Sequence, residues 1–147
     1  MSHAEEPVSP AILGEIVQEF VNRVSHAQGK TLAALSDAGV TLPQVLLLRR
    51  VASNGETTTS ELAGQMHMSL PAVSQMAERL SQLSLLSRIE ATDDRRKKRL
   101  MVTQDGRKLL TRISKARSAD YAAGVAPLSA RVRAGLLRVL SEALEEL

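Results

Sequence analysis

Residues 86–103 read Leu86-Ser87-Arg88-Ile89-Glu90-Ala91-Thr92-Asp93-Asp94-Arg95-Arg96-Lys97-Lys98-Arg99-Leu100-Met101-Val102-Thr103. Apolar and polar side chains alternate on both flanks, as in two half-buried strands, and five consecutive cations, Arg95 to Arg99, stand near the tip between them. The charge is therefore expected on a short β-ribbon rather than on a loose tail. Cations crowded on a narrow ribbon repel one another unless a polyanion or local anions offset them. Asp93 and Asp94 offset part of the charge. Asp94 is expected to pair with Arg96 and hold that guanidinium at the tip, where a planar, permanently charged group suits a narrow minor groove. Arg95, Lys97, Lys98 and Arg99 are then expected to face phosphates.

Just upstream, Thr58-Thr59-Ser60-Glu61 has the form of a capping box, which predicts a short helix from Thr59 to about Met66. After a tight break at His67-Met68, Ser69 caps a second helix, Leu70 to about Ser84. Its inward positions are Val73, Met76, Ala77, Leu80 and Leu83, and its outward positions are Pro71, Ala72, Ser74, Gln75, Glu78 and Arg79. Two helices joined by a three- or four-residue turn, the second with small polar residues on its first exposed turn, can place a helix in the major groove. Ser69, Ser74 and Gln75 can bond base edges or phosphates. Pro71 and Ala72 are small enough to touch a thymine methyl, and Arg79 can reach phosphate or base.

Further out, Ser9-Pro10 opens a helix in which Ile12/Leu13, Ile16/Val17, Phe20/Val21 and Val24 recur every four residues. It is expected to run to about Ser36, with Asp37-Ala38-Gly39 as the stop. Thr41-Leu42-Pro43 starts another helix bearing Val45, Leu46, Leu48 and Val51, ended by Asn54-Gly55, and a short strand fits Glu56-Thr57. On the other side, Thr103-Gln104-Asp105-Gly106 begins a long helix through Leu109, Leu110 and Ile113 toward Tyr121 and Gly124. Pro127 separates it from a last helix carrying Val132, Leu136, Leu140 and Leu144 at four-residue spacing.

The order α-α-α-α-β-β-α-α gives the fold class: mainly α with a small antiparallel β-wing, a winged helix-turn-helix with terminal dimerisation helices. One unit of residues 1–147 is expected, with about 9–38 and 104–147 dimerising and about 41–103 binding DNA. Each terminal helix carries an apolar stripe that so small a core cannot cover alone, so a homodimer is expected through Ile12, Ile16, Phe20, Val132, Leu136, Leu140 and Leu144. The alternative is that these helices fold back only on their own chain.

Composition agrees with duplex DNA as the partner. The net charge is +3, but residues 1–40 carry two cations against five anions, residues 41–112 twelve against seven, and residues 113–147 five against four. Phe20 and Tyr121 are the only aromatic residues, which argues against base-stacking platforms for RNA or single strands. The chain has no cysteine, and its three histidines are isolated; it has no G-x-S-x-G, no glycine-rich phosphate loop and no H-E-x-x-H. No enzyme, cofactor or metal site is expected. The N-terminus lacks a secretory signal and no apolar run exceeds four residues, so no membrane span is expected and a cytoplasmic location is.

These residues resemble the MarR family of winged-helix transcriptional regulators from about residue 10 to residue 147. The matches are Thr58-Thr59-Ser60-Glu61-Leu62-Ala63, Ser69-Leu70-Pro71-Ala72-Val73-Ser74-Gln75-Met76, Leu86-Ser87-Arg88, and Asp94-Arg95-Arg96 followed by Val102-Thr103-Gln104-Asp105-Gly106. The resemblance implies an obligate dimer on a pseudo-palindromic operator, repression rather than activation, and Arg96 in the minor groove. It also implies a cleft for a small aromatic or phenolic effector. Ser84 stands where that family usually has glycine, so a turn into the wing that is strained or differently shaped is expected, and the absence of cysteine excludes its thiol-oxidation branch. A competing reading is a winged-helix protein-interaction module whose basic ribbon docks an acidic partner.

Overall fold

The computed structural model describes residues 8–90 and 98–147. In chain order the elements are α1 (Pro10–Val24), α2 (Lys30–Ala38), α3 (Leu42–Asn54), β1 (Thr57–Thr58), α4 (Thr59–Met66), α5 (Leu70–Gln82), β2 (Leu86–Glu90), β3 (Lys98–Val102), α6 (Gln104–Val125) and α7 (Ala130–Glu146). The chain divides into two compact units, the described residues up to Lys30 with Arg117–Leu147, and Thr31–Ala116. Among the described residues no single helix is long and apolar enough to cross a membrane.

In the larger unit, α3, α4 and α5 pack around a three-stranded antiparallel sheet of order β1-β3-β2. Leu86 pairs with Val102 and Arg88 with Leu100, while Thr57 pairs with Leu100 on the other edge of β3. On β3 this register follows the apolar alternation, Leu100 and Val102 buried and Arg99 exposed, with Leu86 buried opposite Val102; on β2 the alternation lapses at Arg88, which is exposed opposite Leu100. The strand expected at Glu56-Thr57 lies one residue later. The core joins Val45, Leu47, Leu48, Val51, Leu62, Val73, Ala77 and Leu80 to Leu109 and Ile113 of α6 and Ala34 of α2. Residues 31–38 and 104–116 thus pack with the winged helix. On α3 the sequence reading chose Leu46, which is exposed, and passed over Leu47, which is fully buried.

The long first helix expected to reach Ser36 is two helices. The four-residue apolar recurrence stops at Val24, and Gly29 takes a left-handed φ of +66°, which a continuing helix does not allow. The break is held by Asp120, a fully buried carboxylate on α6. It accepts from the Gln28 N–H at 3.3 Å and the Lys30 N–H at 3.1 Å, serving donors at the start of α2 that have no partner within the helix. Gly124 completes this smaller unit. A Cβ there would stand 2.5 Å from the Val24 Cα, so glycine lets α6 lie against α1.

Candidate nucleic-acid interface

The helix pair forms as its caps dictate. Thr58 accepts from the Glu61 N–H at 3.2 Å and the Glu61 carboxylate accepts the Thr58 N–H at 2.8 Å, so α4 begins where the capping box placed it. These bonds, first the Thr58 N–H and then the Thr57 hydroxyl, hold the Glu61 carboxyl below the ordinary carboxylate range. At the other end of the turn the Ser69 hydroxyl accepts from the Ala72 N–H at 3.3 Å. Ser69 is therefore a helix cap, and its hydroxyl proton remains available to an outside acceptor.

Of the outward positions on α5, Pro71, Gln75, Glu78 and Arg79 are exposed and Ala72 and Ser74 half-buried, whereas Val73, Ala77 and Leu80 are buried. One helical surface thus presents Ser69, Pro71, Ala72, Ser74 and Gln75 together. The Arg79 guanidinium lies further along, beside Gly39, where a Cβ would be 3.8 Å from Nη2.

Two ion pairs tie the ribbon to its surroundings. Arg88 of β2 donates to the Glu78 carboxylate of α5, and Arg99 of β3 stands 3.8 Å from Glu56, just before β1. Arg99, expected to face phosphates, has a carboxylate beside it. Asp94, Arg95, Arg96 and Lys97 lie outside the described residues, as does the side chain of Lys98, which begins β3.

The turns around α5 share one device. After α2, α4 and α5, residues 39, 67 and 84 adopt left-handed φ of +64°, +52° and +58°. The next N–H then reaches back to close the helix: Val40 to the Leu35 carbonyl, Met68 to Ala63 and Leu85 to Leu80. This is the Schellman closure. Ser84 therefore makes the same turn that glycine makes at position 39: of the two outcomes expected, the turn is not differently shaped but is strained, an L-residue at a left-handed φ.

Three functionally placed residues escaped the sequence reading or were read only as a motif. The Thr103 hydroxyl donates to the Ser84 carbonyl at 2.7 Å and accepts from the Gly106 N–H at 3.0 Å, joining the end of α5, the end of the wing and the start of α6. Gly106 is required because a Cβ would fall 2.3 Å from the Leu85 carbonyl oxygen. Asp120 gave no periodic signal, since a lone acidic residue in a helix usually faces water.

The expected dimerisation residues are in the smaller unit, apart from the winged-helix core. Ile12, Ile16, Val132, Leu140 and Leu144 are exposed, and Phe20 and Leu136 half-buried. Phe20, Val21, Val24, Tyr121, Leu136 and Leu140 border an apolar groove there.

Known proteins share both segment and fold. Residues 40–98 match the MarR family. The HTH-type transcriptional repressor MdtR of Bacillus subtilis is 35% identical over 79 residues, covering 54% of this chain and 51% of that protein. The match thus spans about half the length of that relative. The YusO protein of Bacillus subtilis superposes with a TM-score of 0.72 at 23% identity, over 96% of this chain and 100% of that one. The transcriptional regulator Tm0710 of Thermotoga maritima gives 0.75 at 21%, over 92% and 93%. A mutant MepR of S. aureus bound to an oligodeoxyribonucleotide gives 0.65 at 19%, over 96% and 99%. The fold is the MarR-type winged helix.

Proposed function

We propose that this chain, a MarR-family segment on a MarR-type winged-helix fold, is a transcriptional regulator that binds double-stranded DNA as a homodimer on a pseudo-palindromic operator and represses by occluding it. One observation carries the reading: α5, whose first turn is polar, is tied through Glu78 to Arg88 of an antiparallel ribbon whose sequence holds Arg95 to Arg99. A helix that can enter a major groove next to a cationic ribbon is a device for a duplex. The relative named as a repressor and the fold relative bound to an oligodeoxyribonucleotide support it.

The proposed roles are Ser69, Ser74 and Gln75 on base edges, Pro71 and Ala72 against thymine methyls, Arg79 on phosphate, Arg96 in the minor groove, and Arg95, Lys97 and Lys98 on phosphates. Asp94 would hold Arg96. Regulation by a small effector, aromatic or phenolic by family resemblance, completes the proposal. A cleft of about 280 Å³ beside the α5–β2 turn is lined by Leu83, Leu85 and Leu109 with two cations, Lys108 and Arg112, and two carboxylates, Asp37 and Asp105, so its lining does not favour an anion. Footprinting on the DNA upstream of the chain's own coding sequence tests the reading, with two protected patches about one helical turn apart expected. Replacing Arg96 and Lys97 together by alanine is expected to weaken that protection while the dimer persists. Equal protection by this variant would reject the wing assignment.

A further inference from the structure

A second cationic surface lies outside the helix-turn-helix face described above. Leu46, Arg49, Arg50 and Ser53 of α3 face Gln65 and Met66 of α4 across a groove of about 460 Å³ that contains no carboxylate. Arg49 and Arg50 are exposed, and among the described residues neither side chain forms an ion pair, whereas Arg23, Arg88, Arg99 and Arg138 each have an acidic partner. Gln65 accepts from the Asn54 side-chain amide at 2.8 Å, which occupies its carbonyl and leaves its own amide hydrogens to donate. The groove thus offers two guanidinium groups and an amide as donors, the Ser53 hydroxyl being spent on the Arg49 carbonyl at 3.1 Å. Adjacent, uncompensated guanidinium groups carry a repulsion that an incoming anion relieves. Gln65 and Met66 immediately precede the turn to Ser69, so the groove adjoins in the chain the residues proposed to meet the operator.

We infer that Arg49 and Arg50 form a phosphate seat that grips the duplex backbone beside the site read by α5, extending the footprint beyond recognition helix and wing. This rests on the DNA-binding reading above. Because the contact is to phosphate, it adds affinity without sequence preference.

The test needs no operator. Binding of the full-length protein to a fluorescent random-sequence duplex is titrated at several salt concentrations, for the wild type, for Arg49→Gln with Arg50→Gln, and for Arg49→Lys with Arg50→Lys. The glutamine variant is expected to flatten the slope of log K against log salt by about 0.9 for each phosphate lost, and the lysine variant to keep most of it. A glutamine variant with an unchanged slope, while the wild type binds, overturns the phosphate seat and leaves the regulator reading intact. No binding by the wild type at low salt overturns the regulator reading itself. Both arginines are exposed, and coincident thermal melts of the three proteins would confirm that folding is unchanged.

Discussion

Ser84 occupies a left-handed φ of +58° that costs an L-residue roughly 1 kcal/mol and glycine almost nothing. Its hydrogen bonds are those of the backbone, so glycine can replace it without losing one. Part of the gain is offset by the greater freedom of glycine in the unfolded chain. Ser84→Gly is therefore expected to stabilise the protein by about 0.5 kcal/mol and raise its melting temperature by about 2 °C in calorimetry. Gly106→Ala is the opposite case. Its Cβ meets the Leu85 carbonyl and the Val102 side chain, both fixed by the sheet, and a loss of more than about 2 kcal/mol by denaturant titration is expected. Glu61 supplies a pH dependence. The folded state binds its proton less tightly than the unfolded chain, so the capping contribution is complete above the ordinary value of 4.5 and is lost as the pH falls through the lower folded value. The stability difference between wild type and Glu61→Gln should accordingly be largest near neutral pH and shrink in acid. A difference independent of pH would show that Glu61 contributes nothing through its charge.

Elements were legible in the sequence where a local signal fixes them. The Thr58–Glu61 box placed α4 to the residue, Ser69 placed the start of α5, and alternation placed β2 and β3. What was not legible depends on distant groups. The α1–α2 break is sealed by Asp120, ninety positions from Lys30, and the tie between wing and α6 runs through a threonine that reads as an ordinary helix start. The Glu78–Arg88 pair is of the same kind, since its residues lie on different elements. Both side chains are substantially exposed, so the pair contributes under about 1 kcal/mol to folding. Its consequence is orientation: it joins the middle of α5 to the wing, and on the proposed function it would set how the two meet one duplex. Reversing one member, Glu78→Arg, is expected to weaken operator binding several-fold with little change in melting temperature, and Glu78→Arg with Arg88→Glu to recover much of it. Failure of the double variant to exceed the single in a binding cycle would remove the orienting role.

The whole molecule presents apolar surface that its own chain leaves open. Ile12, Leu13, Ile16 and Val17 of α1 and Leu137, Val139, Leu140 and Leu144 of α7 are all at least half exposed. Stripes of this extent on two helices exceed what isolated surface leucines need explain, and in the proposed homodimer a second copy of the chain would cover them symmetrically. Burying what remains exposed on each side chain returns on the order of 1 kcal/mol, so the set together supports a stable association even after the entropy of pairing is subtracted. A charge placed in such a stripe must be desolvated without a partner. Ile16→Glu combined with Leu140→Glu is therefore expected to shift sedimentation from dimer to monomer at micromolar protein. The winged-helix core, built from other residues, should keep its fold by circular dichroism. Operator affinity should then fall by more than about 100-fold, because two half-sites would no longer be gripped by one particle. A wild type that sediments as a monomer would remove the homodimer itself, and a double variant that remains dimeric would place the interface elsewhere.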